Sequence, residues 1–252
     1  MIDIHSHIIP AVDDGCSNIN ESLDMIRSAS KCGITKIIAT PHFVEDVFEN
    51  YKTNILIYVN SLNDLLRISK INVSVVCGCE IMICPDIVEL LKADKLCSLN
   101  NSRYILIEFP MDIKIPNISK VINDILVAGF VPIIAHPERY LYVQRNIDEA
   151  IKYVESGALL QMNVSSVLGD YGHDVKVCAI SLLKHNLIHL WGSDTHSNRP
   201  VYEDRLNDSL VEIKKIVGED MFEQISEINS DCVYNDKDIK TFEIKRKLGF
   251  FS

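Results

Sequence analysis

The chain opens with MIDIHSHIIPAVDDG, in which His5 and His7 stand two residues apart behind an apolar lead. On a β-strand, side chains two residues apart point to the same face, so both imidazoles can bind one cation. Asp194 and His196, in GSDTH, repeat this spacing near the other end of the chain. A single HxH pattern is also common among ordinary polar or buried histidines. The inference therefore depends on whether further ligands join these two pairs.

Further metal-capable side chains stand where apolar β-branched runs end. They are His42 in ATPHF, Glu80 in GCEI, Glu108 in IEFP and His136 in AHPER. Carboxylates at the ends of buried strands cost free energy unless they are paired or coordinated, and several occur together here. We therefore predict a metal centre rather than a coincidence of polar residues. A set of histidines and carboxylates without an obvious cysteine favours Mn²⁺, Fe²⁺ or Zn²⁺ over a structural zinc of the cysteine type.

Loop residues could complete this site. VDDG contains Asp13 and Asp14, which suit a capped turn as well as a metal, and we predict Asp14 as the ligand. Arg139 in HPER and Arg199 in SNRP each carry a forked guanidinium that can grip phosphate oxygens. Each arginine could instead form a surface salt bridge. His42, His196 or a metal-bound water could assist the departure of a leaving group.

Seven apolar, strand-like runs position these residues, with segments of helical spacing between them. The runs recur at roughly 30 residues, the length of one strand–helix unit. They are MIDIH, KIIAT, VSVVCGCEI, YILIEF, VPIIAH, LLQMNV and IHLWGSD. Alternating strands and helices predict parallel strands joined by right-handed crossovers, and seven repeats favour a barrel over an open sheet. Because the carboxyl ends of barrel strands share one face, we expect the ligands to converge there.

The helical segments carry recognisable ends. In INESLDMIRSASKCG the apolar residues share one helix face, Asn18 suits the N-cap, and Gly33 suits the position after the helix. The segments ISKVINDILVAG and IDEAIKYVESG follow the same logic and are closed by Gly129 and Gly157. These signals predict three helices between the strands.

Length and composition are those of one large α/β domain. A chain of 252 residues that is 47% hydrophobic can bury a sizeable core. We predict a single domain over residues 1–252. Residues 219–252 break the repeat and are expected to pack on the barrel as a terminal appendage, although their basic, aromatic end could instead bind a partner.

Charge, hydropathy and cysteines exclude several classes of function. The net charge of −10 opposes capture of a nucleic-acid backbone, which needs a dense set of lysines and arginines. No apolar run has the length of a membrane-spanning helix, about 18 residues, and we expect no secretory leader. The eight cysteines form no CxxC pair, which is typical of reduced, buried thiols. We therefore expect a cytoplasmic protein without nucleic-acid binding or membrane insertion; the sequence does not set its oligomeric state.

In order, the motifs resemble those of the PHP (polymerase and histidinol phosphatase) superfamily, and within it the CpsB/CapC type of bacterial protein-tyrosine phosphatase. The similar segments are MIDIHSHIIPAVDDG, ATPHF, the Glu80 strand, SRYILIEFP, GFVPIIAHPER and GSDTHSNRP. They cover about residues 1–200, and IEFP followed by AHPER distinguishes this type from other PHP phosphatases. The resemblance implies a distorted (β/α)7 barrel with a trinuclear, manganese-dependent centre, in which Fe or Zn could replace Mn²⁺.

The resemblance also implies a division of ligands and a substrate. One ion would take His5, His7, Glu80 and Asp194; a second would share Glu80 and use Glu108 and His136; a third would take Asp14, His42 and His196. The implied substrate is phosphotyrosine in the tail of an autophosphorylating bacterial tyrosine kinase that governs capsule or exopolysaccharide export. The stretch from Asp194 to Arg199 is shorter than the family pattern, which leaves the role of Arg199 open.

Two other functions fit the same residues. A small-molecule phosphatase of the histidinol-phosphate kind, or a phosphodiesterase, would use the same ligands and would prefer an alkyl phosphate over a peptide. A metal-containing module without catalysis would bind the kinase tail and release no phosphate. Intact ligands at the end of nearly every strand argue against the second of these alternatives.

Overall fold

The computed structural model describes residues 1–197, 201–203 and 205–246. All seven predicted runs contain strands, and helices lie between most of them. The strands are β1 (Ile2–Ser6), β2 (Lys36–Ala39), β3 (His42–Val44), β4 (Phe48–Glu49), β5 (Ser74–Cys77), β6 (Glu80–Met82), β7 (Tyr104–Glu108), β8 (Val131–Ala135), β9 (Leu159–Asn163) and β10 (Leu190–Gly192). The helices are α1 (Ile19–Lys31), α2 (Lys52–Ile68), α3 (Ile87–Lys92), α4 (Ile118–Val127), α5 (Leu141–Arg145), α6 (Asp148–Glu155), α7 (His173–Lys184), α8 (Leu206–Val217), α9 (Glu219–Glu223) and α10 (Asn229–Tyr234).

The strands form a distorted barrel with seven strand positions around it. Two of these positions each contain two short strands in succession, β2 followed by β3 and β5 followed by β6. β2 pairs with β5, and β3 pairs with β6 after a gap of two residues in both segments. A parallel ladder then runs from β6 through β7, β8 and β9 to β10. β1 pairs with β2 on one side, and on the other side it meets the segment after β10 through a bridge between Ser6 and Thr195. The ladders therefore remain two separate sheets, which accounts for the distortion.

Alternation along the strands separates an interior core from an exterior one. Leu106 and Ile133 lie in the interior cluster, which contains strand residues and few others. Cys77 and Cys79 lie in the larger cluster that the strands share with the helices. Because Glu80 follows Cys79 directly, its side chain points into the barrel. The two cysteines therefore serve packing rather than metal binding.

The helices begin and end where their sequences predict. The Oδ1 of Asn18 accepts hydrogen bonds from the backbone N–H groups two and three residues ahead, and the Glu21 side chain accepts from the N–H before Asn18. Gly33 follows α1 with a φ of +84°, a conformation that glycine adopts without strain. The other two predicted helices end just before Gly129 and Gly157. None of the described helices combines the length and apolarity needed to cross a bilayer.

The described part of residues 219–252 lies against the amino-terminal ends of the strands. Val233 of α10 is buried within the interior cluster. Tyr104 donates its hydroxyl to the carbonyl of Lys237 at 2.6 Å, and Asn100 donates to the carbonyl of Tyr234 at 2.9 Å. These contacts fix residues 229–237 to the barrel, whereas residues 247–252, in the basic, aromatic end, lie outside the described residues. The single-domain assignment of residues 1–252 stays a prediction.

Candidate metal centre

His5 and His7 are fully buried at the carboxyl end of β1, with their Nε2 atoms 3.2 Å apart. The Nδ1 of His5 lies 2.8 Å from the Oε1 of Gln161, and the Nδ1 of His7 lies 2.8 Å from the Oδ2 of Asp13. Because both of these oxygens accept hydrogen bonds, each Nδ1 carries a proton, and each ring presents an Nε2 lone pair once its Nε2 proton has been lost. Two lone pairs that face each other at this distance favour a cation between them.

A bulge in β1 makes this placement possible. Ile2 and Ile4 already face the interior cluster, and simple alternation would turn His5 outward. The register of β1 against β2 shifts between Asp3 and Ser6, so His5 also faces inward and meets Gln161 of β9. Such irregularities commonly re-aim a side chain next to a functional site.

Glu80 and Asp194 complete a four-donor cluster with these two histidines. The Oε2 of Glu80 lies 3.2 Å from both Nε2 atoms, and the Oδ1 of Asp194 lies 3.5 and 3.4 Å from them. Donor atoms bound to one ion at about 2.1 Å stand about 3.0 to 3.4 Å apart at right to tetrahedral angles. The Oε2 of Glu80 is buried without a hydrogen-bond partner among the described residues. Distances and donor chemistry therefore fit a divalent ion.

Charge in this cluster leads to the same conclusion. Burial lowers the pKa of His5, but the charges of Glu80 and Asp194 outweigh burial and raise the pKa to about 9. Burial also raises the pKa of Asp194, and the His5 and His136 rings bring it well below its usual value. The buried carboxylates thus require positive charge nearby, which either protons or a metal ion can supply.

A second cluster contacts both oxygens of Glu80. The Nε2 of His136 lies 2.9 Å from the Oε1 of Glu80 and 3.5 Å from the Oε1 of Glu108. His42 adds its Nδ1, at 3.2 Å from the Oε2 of Glu80 and 3.7 Å from the Oε2 of Glu108. The structure thus brings together the predicted set of Glu80, Glu108 and His136 and places His42 beside it. Glu80 is able to bridge two ions, because its Oε2 borders both clusters and its Oε1 faces His136.

A third cluster lies at the mouth of the barrel, where Asp14, His42 and His196 meet. The Oδ1 of Asp14 is 3.3 Å from the Nε2 of His196 and 3.6 Å from the Nε2 of His42. His7 also borders this cluster, and its ring stacks on His196 with centroids 4.2 Å apart. Asp13 is engaged by His7 and by the N–H of His42 at 3.0 Å. The geometry therefore favours Asp14 over Asp13 as the ligand.

Burial prepares the remaining groups for coordination. Burial, assisted by the Arg139 charge, lowers the pKa of His136 to about 4, and burial also lowers the pKa of His42. Both rings are therefore neutral at pH 7, as a ligand must be. Burial raises the pKa of Glu108 to about 8, and the neighbouring Glu80 charge adds to this effect. Glu108 therefore carries a proton at pH 7 until a cation displaces it.

Gln161 and Asn163, two buried residues that sequence reasoning missed, orient the ligands from β9. Gln161 accepts from His5 and donates its Nε2 to the Oδ1 of Asn163 at 3.2 Å, and Asn163 donates to the Oδ2 of Asp194 at 2.6 Å. This chain of bonds holds a ring and a carboxylate of the same cluster. The two residues stand two apart within the apolar run LLQMNV, so the argument that singled out His5 and His7 could have found them.

Glu138, which sequence reasoning also missed, holds the carboxyl end of β9 in place. Its Oε1 accepts hydrogen bonds from the N–H of Asn163 at 2.9 Å and from the hydroxyl of Ser166 at 2.7 Å. Burial raises the pKa of Glu138 to about 7, against the opposing effect of the Ser166 bond. No signal in HPER distinguishes Glu138 from a surface residue, because its partners lie more than 20 residues away in the sequence.

The backbone around two ligands is strained. His136 has a φ of +32° and Asp194 a φ of +48°, values that non-glycine residues rarely adopt. The N–H of Asp194 donates to the carbonyl of His5 at 2.9 Å, and the N–H of His7 donates to the carbonyl of Thr195 at 3.2 Å. These two bonds join the HxH and DxH segments and hold the strained backbone in place.

Arg139 reaches the same face from the loop after β8. Its Nη1 donates to the Oδ2 of Asp194 at 3.2 Å, and its guanidinium lies over the ring of Tyr171 at 5.1 Å from the centroid. The side chain is 28% exposed, so part of its fork borders the opening. Arg199, predicted for a similar role, lies outside the described residues. The metal clusters and Arg139 line one cavity of about 330 Å³, formed by Asp14, His42, Val44, Phe48, Glu80, Glu108, His136, Arg139, Asp194 and His196.

Residues 1–235 match the family described as capsular polysaccharide synthesis, CpsB/CapC. The chain belongs to the CpsB/CapC family. A CapC protein of Staphylococcus aureus is 37% identical to this CpsB/CapC chain over 203 residues, which is 79% of each protein. The tyrosine-protein phosphatase YwqE of Bacillus subtilis is 38% identical over 197 residues, 78% of each.

A crystal structure from work on YwqE and on CpsB of Streptococcus pneumoniae, described as metal-dependent tyrosine phosphatases, agrees with this CpsB/CapC protein over its length. The TM-score is 0.91 at 33% identity, covering 98% of this chain and 100% of the other. The family and the barrel fold predicted from the ordered motifs are therefore confirmed. The individual ligand and arginine assignments stay predictions, which the geometry above supports.

Proposed function

We propose that this protein is a metal-dependent phosphatase that hydrolyses phosphotyrosine on a protein substrate. The observation that carries the proposal is the convergence of three histidine–carboxylate clusters, which overlap through His7, His42 and Glu80, at one cavity beside Arg139. Relatives that match most of this chain are named tyrosine-protein phosphatases. A buried centre of this kind has no structural purpose that apolar residues would not serve at lower cost.

The ligand set favours Mn²⁺, with Fe or Zn as alternatives, and three clusters allow up to three ions. His5, His7, Glu80 and Asp194 would hold the first ion, Glu80, Glu108 and His136 the second, and Asp14, His42 and His196 the third. When bound, the ions would lower the pKa of water toward neutrality and neutralise charge on the phosphoryl oxygens.

The chain supplies binding and proton transfer around that centre. Arg139 is positioned to bind phosphoryl oxygens through the part of its fork that Asp194 does not use, and Arg199 is our prediction for a second contact. His42 or His196, both at the mouth, would hold a proton near the ester oxygen when no third ion occupies them. A phenol has a pKa of about 10, so it departs with little protonation.

We further infer that the substrate is the phosphotyrosine-containing C-terminal tail of a bacterial tyrosine kinase that controls capsule or exopolysaccharide synthesis. The support for this step is the capsular polysaccharide description of the family together with the phosphatase names of its members. A cytoplasmic location belongs to the same proposal, and all eight cysteines are unpaired, as expected for a reducing compartment. The proposal includes neither nucleic-acid binding nor membrane insertion.

The proposal is tested on protein prepared free of metal and then restored with Mn²⁺. Phosphate release from a phosphotyrosyl peptide should depend on Mn²⁺, and His136→Ala should reduce kcat/KM by about 100-fold or more. His185→Ala, at the opposite end of α7 from the cavity, is the matched control and should retain activity. Activity that survives both chelation and His136→Ala would overturn the mechanism.

Substrate profiling separates the alternatives. A small-molecule phosphatase would have a higher kcat/KM for an alkyl phosphate than for the peptide. A module without catalysis would retain the phosphopeptide in a pulldown and release no phosphate.

A further inference from the structure

The apolar part of the metal cavity comes from a single hairpin. The residues that line the cavity are charged or are imidazoles, apart from Val44 on β3 and Phe48 on β4. The Phe48 ring lies nearly parallel to the His42 ring, with an interplanar angle of 17° and centroids 6.2 Å apart. Coordination of metal ions requires no such surface, because polar atoms would complete the shell equally well.

The pairing of the hairpin directs these two side chains to the same side. Val44 lies directly opposite Phe48 in the antiparallel ladder, so both side chains project from one face. Phe43, the neighbour of Val44, is buried on the other face against Tyr51, with ring centroids 5.5 Å apart. The apolar wall of the cavity is therefore set by register and not by a flexible side chain.

The hairpin is fixed relative to the metal ligands. The side chain of Asn50, just after β4, donates to the carbonyl of His42 at 2.8 Å and to the carbonyl of Val12 at 3.1 Å. These bonds tie the hairpin to its own first strand and to the loop that carries Asp14. Val47, at the tip, is 65% exposed, so the hairpin also presents an apolar side chain outside the cavity.

We propose that Val44 and Phe48 form the recognition site for the phenyl ring of phosphotyrosine and give the enzyme its preference for aryl over alkyl phosphates. The inference rests on the proposed function and specifies its substrate. A phosphoryl group held by Arg139 and the metal clusters leaves the ester group at the mouth of the same cavity. There the hairpin offers an aromatic face and a β-branched side chain, the surfaces against which a phenyl ring packs best.

Calorimetric binding to the Mn²⁺-loaded protein separates ring recognition from turnover. The probes are benzylphosphonate and methylphosphonate, which share the phosphonate group and differ in the ring. Wild-type protein should bind benzylphosphonate about tenfold more tightly. Phe48→Ala should abolish most of that ratio while leaving the affinity for methylphosphonate unchanged, and Phe48→Tyr should keep the ratio. Glu49→Gln, an exposed change on the same hairpin, is the matched control and should behave as wild type.

Turnover gives the second readout. In Phe48→Ala, kcat/KM should fall about tenfold for a phosphotyrosyl peptide and stay constant for glycerol phosphate. If Phe48→Ala does not fold, Val44→Ala carries the same test, with an expected loss of about threefold in the ratio.

Three outcomes would overturn the proposal. Equal affinity of wild-type protein for both phosphonates would mean that the ring has no site. Equal weakening of both phosphonates in the hairpin variants would mean that Phe48 only supports His42. Binding of neither phosphonate would overturn the phosphate site itself, and with it the proposed function on which this inference depends.

Discussion

The inward face of each strand lines both ends of the barrel interior, but the two ends differ in chemistry. On β7, Leu106 lies in the apolar interior cluster and Glu108, two residues later, lines the metal cavity. On β9, Leu159 lies in the same cluster and Gln161, two residues later, holds the ring of the ligand His5. The lower end is filled with apolar side chains and covered by Val233 of α10. The upper end collects buried charge that requires cations. One side of each strand thus provides stability where the strand begins and chemistry where it ends.

The largest effect is expected at the upper end, from Glu80→Gln. The substitution removes the charge that two clusters share, and we expect kcat/KM for a phosphotyrosyl peptide to fall about a thousandfold or more. Metal content measured on the purified protein should drop with it, while thermal unfolding stays cooperative. A variant that keeps its activity and its metal would contradict the role of Glu80 as the shared ligand.

At the lower end, Leu106→Ala should separate stability from metal binding. Leu106 is fully buried, so its truncation should lower the free energy of unfolding by about 2–5 kcal/mol in a denaturant titration. The stoichiometry of bound Mn²⁺ should not change in the folded protein. A change in stoichiometry without loss of stability would show that the two ends are not separate in function.

The amide side chains of β9 that orient the ligands, Gln161 and Asn163, test whether metal binding depends on residues other than the ligands. Gln161→Leu removes the acceptor that holds the His5 ring and the donor to Asn163. We expect Mn²⁺ affinity to fall about 10- to 100-fold, measured by competition with a chelator. Gln224→Leu, which loses a side-chain bond to Asn229 at the lower end of the barrel, serves as the control. If Gln161→Leu leaves the Mn²⁺ affinity unchanged, the ligands alone determine metal binding and the β9 amides play no part in it.

The smallest expected effect is a dependence of metal binding on pH. The pKa of Glu108 is raised to about 8 in the metal-free protein, so at pH 7 this group must lose a proton when it binds a cation. Affinity should therefore rise as pH increases from 6 to 8; the Glu108 proton contributes at most about tenfold per unit, in addition to the protons that His5 and His7, whose pKa values are raised, must release. Calorimetry in buffers of different ionisation enthalpy should detect the released proton, and Glu108→Gln should reduce it. Affinity that falls over this range would contradict the assignment.

Local sequence signals predicted most of the strands and the convergence of the ligands. Each strand carries its own apolar run, and the carboxyl ends of parallel strands meet whatever the loops contain. The arrangement of His5 beside Gln161 was less accessible, because the bulge in β1 depends on its pairing with β2, about 35 residues away. The strained backbone at His136 and Asp194 likewise results from tertiary bonds rather than from their own propensities.

The residues that orient the ligands show a different limit of sequence reasoning. Gln161 and Asn163 carry a detectable pattern, but amides have little metal-ligand character, so a search for ligands passes over them. Glu138 gives no local signal at all, because its burial depends on the partners that β9 supplies. Ligands can be read from residue type and spacing, whereas the groups that orient them depend on packing.

The central claim is that buried imidazoles and carboxylates surround divalent ions, and anomalous diffraction from crystals grown with saturating Mn²⁺ tests it most directly. We predict one anomalous peak about 2.1 Å from the Nε2 atoms of His5 and His7, and another between Glu80, Glu108 and His136. A map without a peak within bonding distance of His5 and His7 would contradict the account.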